Sequence, residues 1–211
     1  DVYKRQDLKN LIAQLSLVAK NAARHKHNPE FIDDAVSTIE NAVNKMNRLM
    51  AQLKSADVTG ARQRIDIVKE LRDVVAAKSG GVPVPVLRTD LETTYVLAEP
   101  DRLSSVLGHV VQNAQDATPQ DGSVELRLWT GSDQAIVEVR DTGVGMDAEF
   151  IKTRLFRPFD STKGLTGMGI GAYECREVIS ALGGQVVVES APKRGTTFRI
   201  MLPLAEDLVS G

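Results

Sequence analysis

At 211 residues the chain is long enough for one ordinary domain with a small appendage, and its 42% apolar content permits a real core. Aromatics are only 4%, so that core must be mostly Val, Leu, Ile and Ala; a formal charge of −2 leaves no large basic field for a nucleic-acid backbone, and no nucleic-acid partner is expected. One cysteine and three histidines exclude an internal disulfide and argue against a structural zinc site.

Cys175 falls in a helical pattern and reads as a small core residue in a reducing compartment. There is no apolar run of about 18 residues and no signal peptide, so this stretch is expected to be cytoplasmic, without direct membrane contact. The chain opens Asp1-Val2 without a methionine, which suggests a fragment of a protein that could be anchored through regions upstream.

In residues 7–27, Leu8, Leu11, Ile12, Leu15 and Val18 or Ala19 recur at three- and four-residue spacing, one apolar stripe along a helix. Asn28-Pro29 interrupts it, with Asn28 suited to an N-cap and Pro29 to a first helical position. A second stripe follows: Phe31, Ala35, Ile39, Ala42 or Val43, Met46, Leu49 and Leu53. Residues 1–54 are therefore expected to form an antiparallel helical hairpin. Two helices cannot bury both stripes, so a second copy completing a four-helix bundle, a homodimer through residues 7–54, is the natural inference; a plain coiled-coil spacer has the same periodicity.

Residues 55–61 read as a linker, and beyond it the pattern changes to alternating strands and helices. A strand beginning at Arg64 and a helix over Val68–Lys78 end at Gly80-Gly81, followed by short strands at Val84–Arg88 and Tyr95–Ala98. Asp101–Ala117, led by Pro100, is a strong helix with Leu103, Val106, Leu107, Val110 and Val111 on one side. Strands at Ser123–Thr130 and Ala135–Arg140 are joined by Gly131-Ser132-Asp133, a hairpin signal. After a polar, glycine-rich stretch from Asp141 to Gly171 come a helix over Ala172–Leu182, stopped by Gly183-Gly184, and a last strand pair, Gln185–Ser190 and Thr196–Leu202. The fold class is α+β: the hairpin, then a two-layer α/β sandwich with a mixed sheet over residues 62–204, then a tail at 205–211.

Three places carry possible chemistry. His109, Asn113 and Asp116, at spacings of four and three, stack on one face of the 101–117 helix while its opposite face is apolar. An Asn carbonyl is a hard oxygen ligand of the kind Mg²⁺ accepts beside phosphates and water, and a histidine can orient or deprotonate a nucleophile. Alone, the triplet is explained more simply as a solvated helix face. Asp141-Thr142-Gly143-Val144-Gly145-Met146 follows a strand directly; a carboxylate there can accept from an exocyclic amine such as that of adenine, and the glycines permit close approach. A tight turn opened by Asp has the same look. Gly167-Met168-Gly169-Ile170-Gly171 precedes a helix, where free amides and the positive helix end suit phosphate, but it is neither the dinucleotide fingerprint nor a P-loop.

In order, these segments resemble the ATP-binding domain of the histidine-kinase, gyrase, Hsp90 and MutL superfamily over residues 62–204. His109-Val-Val-Gln-Asn113-Ala-Gln-Asp116-Ala-Thr is similar to the N box, 141–146 to the G1 box, Phe156-Arg157-Pro158-Phe159 to the F box, 167–171 to the G2 box and 195–197 to the G3 box. The resemblance implies ATP and Mg²⁺ as ligands. Asn113 would bind the Mg²⁺ that bridges the phosphates, with Asp116 on the same face. Asp141 would read the adenine amino group, Gly143 and Gly145 would shape the purine pocket, and Gly167, Gly169 and Gly171 the phosphate turn. Lys163, in a short lid over 160–167, would reach a phosphate, and Thr197 would sit under the adenine end. His109 stands where many of these kinases carry Asn and the ATPases Glu.

The preceding hairpin resembles the dimerisation and phosphoacceptor bundle of sensor histidine kinases, which implies transfer of the γ-phosphoryl group to a histidine and onward to an aspartate of a response-regulator receiver domain. Asp7-Leu8-Lys9-Asn10 matches the residues after the acceptor histidine, and the stretch through Asn28-Pro29-Glu30-Phe31 also resembles kinases linked to bacterial PEP-CTERM protein sorting. Asp7 would serve as base and Asn10 would position water. The departure is Gln6 at the acceptor position, because glutamine has no nucleophilic nitrogen. Either Asp1–Gln6 is foreign to the gene and the natural protein has histidine there, or the chain is an ATP-binding pseudokinase. An ATPase using His109 as base is a third reading. His25 and His27 lack the surrounding motif and read as polar residues near a turn.

Overall fold

A computed structural model describes residues 12–13, 15–22, 28–29, 31–39, 41–43, 61–157 and 171–205. The chain divides into two compact units, Asp1–Thr59 and Gly60–Gly211. In the first, residues 15–22 and 31–39 are helical, with Ala42 buried and Ile12, Leu17 and Ile39 exposed. Residues 23–27 and 30 of the segment joining the two stripes lie outside the described residues, as do Gln6, Asp7 and Asn10.

The second unit is α+β. Strand β1 (Gln63–Asp66) runs straight into helix α1 (Ile67–Lys78), and the switch is made by Asp66, whose carboxylate caps the helix at Val68 N (3.1 Å) and accepts from Thr94 N (3.1 Å). Strands β2 (Val86–Arg88) and β3 (Tyr95–Ala98) follow, then helix α2 (Pro100–Ala117) with proline in its first turn. Strands β4 (Val124–Thr130) and β5 (Gln134–Asp141) form the expected hairpin; helices α3 (Ala148–Thr153) and α4 (Gly171–Ala181) and strands β6 (Gln185–Ser190) and β7 (Thr196–Pro203) complete the unit.

The main sheet has the order β2-β4-β5-β7-β6, parallel between β2 and β4 and antiparallel elsewhere, so it is mixed. β1 and β3 pair apart from it as a two-stranded antiparallel sheet, a division the strand patterns do not announce. α3 is also unannounced: six residues are too few to set a period, and only Asp147, whose carboxylate accepts from Phe150 N (2.7 Å), marks its start.

Period decides which side chains enter the core. On β4, Val124, Leu126 and Leu128 are buried while Arg127 and Trp129, on either side of Leu128, face outward. On α2, Leu103, Val106, Leu107, Val110, Val111 and Ala114 form the buried stripe and pack with α1, α4 and the inner face of the sheet. Cys175 on α4 is fully buried in the same core, and burial pushes its thiol up to about 12, so it is a packing residue.

Candidate functional site

Packing the apolar stripe of α2 inward leaves His109, Asn113 and Asp116 exposed along the opposite side. The start of α4 comes up against this polar side. A Cβ placed on Gly171 would lie 3.5 Å from Asn113 Nδ2 and 3.6 Å from His109 Cβ. One turn into α4, Glu174 Oε2 is 3.8 Å from His109 Nδ1, an ion pair only when the imidazole is protonated. Asp116 Oδ1 accepts from Gln112 Nε2 at 2.8 Å.

The other half of the site lies at the C-terminal end of β5, and its wall is backbone. Asp141 is buried, and its Oδ1 accepts from Gly143 N (2.8 Å) and from Thr196 N (3.1 Å). Burial holds this carboxyl above the usual range, and the two amide bonds pull it partly back. The loop after Asp141 is held on both flanks. Val144 N donates to Ala117 O at the end of α2 (3.0 Å), and Lys193 N donates to Val144 O (2.7 Å).

Two glycines here answer to both conformation and space. Gly145 has φ +66°, and a Cβ on it would stand 1.9 Å from Ala191 O; Gly195 has φ +77°, with its Cβ 2.0 Å from Asp141 O. Gly143 is tight for space alone, its Cβ falling 2.3 Å from Ala117 O. Ser190 knits the floor, donating to Gly195 O (2.8 Å) and accepting from Met146 N (2.8 Å).

The structure thus brings together Asp141, Gly143 and Gly145 at one end and His109, Asn113, Asp116 and Gly171 at the other. Lys163, Gly167 and Gly169 lie outside the described residues. The expectation for Thr197 moves by one residue. Thr197 stands directly opposite Arg140 on β5 and Glu189 on β6, so it shares their outward sheet face, whereas Thr196 donates its backbone N to Asp141 Oδ1 and its hydroxyl meets Ser190 Oγ at 3.0 Å. Strand side chains alternate faces, and a motif with two adjacent threonines does not say which one turns inward. Thr196 and Ser190 are the residues the sequence reading missed. Thr196 had a signal in its place beside Gly195; Ser190 had none.

Among the described residues, no group of three His, Cys, Asp or Glu could hold a metal ion, and no helix is long and apolar enough to cross a membrane.

The family model for the histidine kinase-, DNA gyrase B- and HSP90-like ATPases matches residues 98–206, which takes in α2, the Asp141 loop and β7. The circadian input-output histidine kinase CikA of Synechocystis is 37% identical over 112 residues, covering 50% of this chain and 15% of that protein. Among solved structures, the catalytic domain of the histidine kinase ThkA superposes with a TM-score of 0.59 at 26% identity, covering 67% of this chain and 97% of that one. ThkA in complex with the response regulator protein TrrA aligns over 97% of this chain and 62% of that one with a TM-score of 0.62; at 20% identity that is a likeness of fold. The chain spans 15% of the length of that CikA and 44% of the length of another curated relative, the sensor histidine kinase ZraS of Salmonella typhimurium.

Proposed function

The chain belongs to the histidine kinase-, DNA gyrase B- and HSP90-like ATPase family, within it as a sensor-histidine-kinase catalytic domain, and from that premise we propose that it is the Mg-ATP-binding kinase core of a two-component system. The observation that carries this reading is Asp141: a buried carboxylate whose Oδ1 is pinned by two backbone amides, in a loop whose glycines leave no room for a Cβ. A carboxylate held this way is a rigid acceptor for an exocyclic amine, as adenine presents.

The residues on α2 fit the other end of the same ligand. Asn113 would lend a carbonyl oxygen to Mg²⁺, whose remaining ligands would be phosphate oxygens and water. A metal ion bound there would neutralise charge on the bridging oxygens during phosphoryl transfer. Gly171, with Gly167 and Gly169, would form the phosphate turn at the start of α4, and Lys163 would reach a phosphate from the lid. Thr196 replaces Thr197 as the threonine at the adenine end.

The reaction proposed for such a core moves the γ-phosphoryl group to an imidazole. A ring nitrogen bonds to the γ-phosphorus, the bond to the ADP oxygen breaks, and the N–H proton passes to Asp7. The group then moves to an aspartate of a response-regulator receiver domain, and Asn10 would position water for dephosphorylating that partner. Pairing of two copies through residues 7–54 would place acceptor and catalytic domain in one cytoplasmic assembly.

Gln6 favours a second reading, a pseudokinase that binds ATP without phosphorylating itself, because an amide nitrogen is not a nucleophile. The test is to give the chain and its Gln6→His variant γ-labelled ATP with Mg²⁺, and to follow both nucleotide binding and acid-labile, base-stable label. Label only in the histidine variant supports the kinase core. Binding without label in either moves the pseudokinase ahead, and absence of Mg-ATP binding by the chain itself sinks the proposal.

A further inference from the structure

Two consecutive hydrogen bonds run from the end of α1 to the polar side of α2. Lys78, the last residue of α1, donates from Nζ to Gln112 Oε1 at 3.0 Å, and Gln112 Nε2 donates to Asp116 Oδ1 at 2.8 Å. Lys78 is itself fixed at its backbone, its carbonyl accepting from the buried Gln115 Nε2 at 3.1 Å. Its stem passes over Gly108, one turn before Gln112, where an added Cβ would meet Lys78 Cε at 3.9 Å.

The direction of this chain is set by chemistry. An ammonium can only donate and an ionised carboxylate can only accept, so the Gln112 amide can serve both in one orientation and in no other. Turned over, it would set its NH₂ against an ammonium and its oxygen against a carboxylate. The pair therefore fixes the rotamer of Gln112, and Gln112 fixes one oxygen of Asp116, three residues along α2 from Asn113. Asp116 is exposed and carries a charge of the same sign as a polyphosphate, so it would serve a nucleotide through a cation or a ligand donor, and the direction of its oxygens decides whether it meets one.

We propose that Lys78 and Gln112 are positioning residues for the nucleotide site, holding Asp116 in the orientation that Mg-ATP binding requires. The inference rests on the reading of the α2 face as part of a Mg-ATP site. It assigns a role to α1, an element that contributes no side chain to the five motifs.

The experiment measures Mg-ATP affinity by titration calorimetry on the full chain, with thermal melts as the check on folding. Lys78→Met and Gln112→Ala are each expected to weaken binding about fivefold, the effect of losing one orienting hydrogen bond, and the double variant to be no weaker than either single one. Lys78→Arg, which keeps a cationic donor, should recover most of the affinity. The decisive comparison places Lys78→Met in an Asp116→Ala background, where it should change nothing further. An equal loss with and without Asp116 would overturn the relay and reduce Lys78 to a packing role. Unchanged affinity in Lys78→Met and Gln112→Ala, while the unaltered chain binds Mg-ATP, would overturn the relay alone. No binding by the unaltered chain would overturn the nucleotide reading beneath it.

Discussion

The two ends of the candidate site are built from different materials. At the end of β5 the working surface is backbone: Asp141 is buried, its carboxylate is locked by the amides of Gly143 and Thr196, and the glycines at 143, 145 and 195 stand against carbonyl groups. Along α2 the working surface is a row of exposed side chains on a regular helix, and the glycine facing them, Gly171, has ordinary van der Waals space around it. A pocket of backbone cannot adapt without moving the chain, so it suits a ligand part with one fixed shape, such as a purine. A row of side chains can turn, which suits phosphates and a metal ion whose arrangement changes during transfer.

The largest expected effect comes from breaking the backbone end. Gly195→Ala puts an L side chain at φ +77° with its Cβ 2.0 Å from Asp141 O, and should cost about 3 kcal/mol of stability, measured by urea denaturation. A fully stable Gly195→Ala chain would mean that this wall yields and that the contrast between the ends is false. Next, Asn113→Ala should lower Mg-ATP affinity about a hundredfold with the melting temperature unchanged, since the residue is exposed on a helix and alanine is a good helix former. Wild-type affinity in that variant would remove Asn113 as the metal ligand.

Asp141→Asn separates binding from folding. Burial raises the Asp141 carboxyl above its unfolded value, so the folded state holds that proton more tightly than the unfolded chain does. That preference favours folding fully below the unfolded value and is lost as pH rises through the folded value, so at neutral pH the ionised group weighs against the fold. Asparagine keeps an Oδ1 acceptor for Gly143 N and Thr196 N without the charge. The variant should lose ATP binding, because its amide NH₂ meets an amine donor, while its melting temperature at pH 7 is equal or higher. The stability gap should close as pH falls towards about 4. A lower melting temperature at pH 7 would show that the carboxylate is needed by the fold itself.

The smallest effect is expected at Gly171→Ala, where the added methyl finds contacts at 3.5 and 3.6 Å. Stability should change by about 0.5 kcal/mol or less in either direction, checked by thermal melts. A loss as large as that at Gly195 would make the two ends alike.

Much of this was legible in the sequence, for reasons that differ by element. The helix over 100–117 and the strands at 124–130 and 134–141 declare themselves because each repeats a period long enough to read. The α2 face was legible for the same reason: spacings of four and three are a helix property, so His109, Asn113 and Asp116 share a side wherever the helix packs. α3 was not legible because six residues set no period, and the separate pairing of β1 with β3 was not because partner choice is a long-range decision.

Sequence by itself determined the family, the α2 face and the glycine turn after Asp141, since all of these are written in local spacing and residue type. Tertiary structure alone decided that Thr196 and not Thr197 meets Asp141, that Ser190 closes the floor, and that Lys78 reaches Asp116 through Gln112. These are contacts through space between strands and helices far apart in the chain. They depend on strand register and on which face a side chain takes, and no local pattern fixes either.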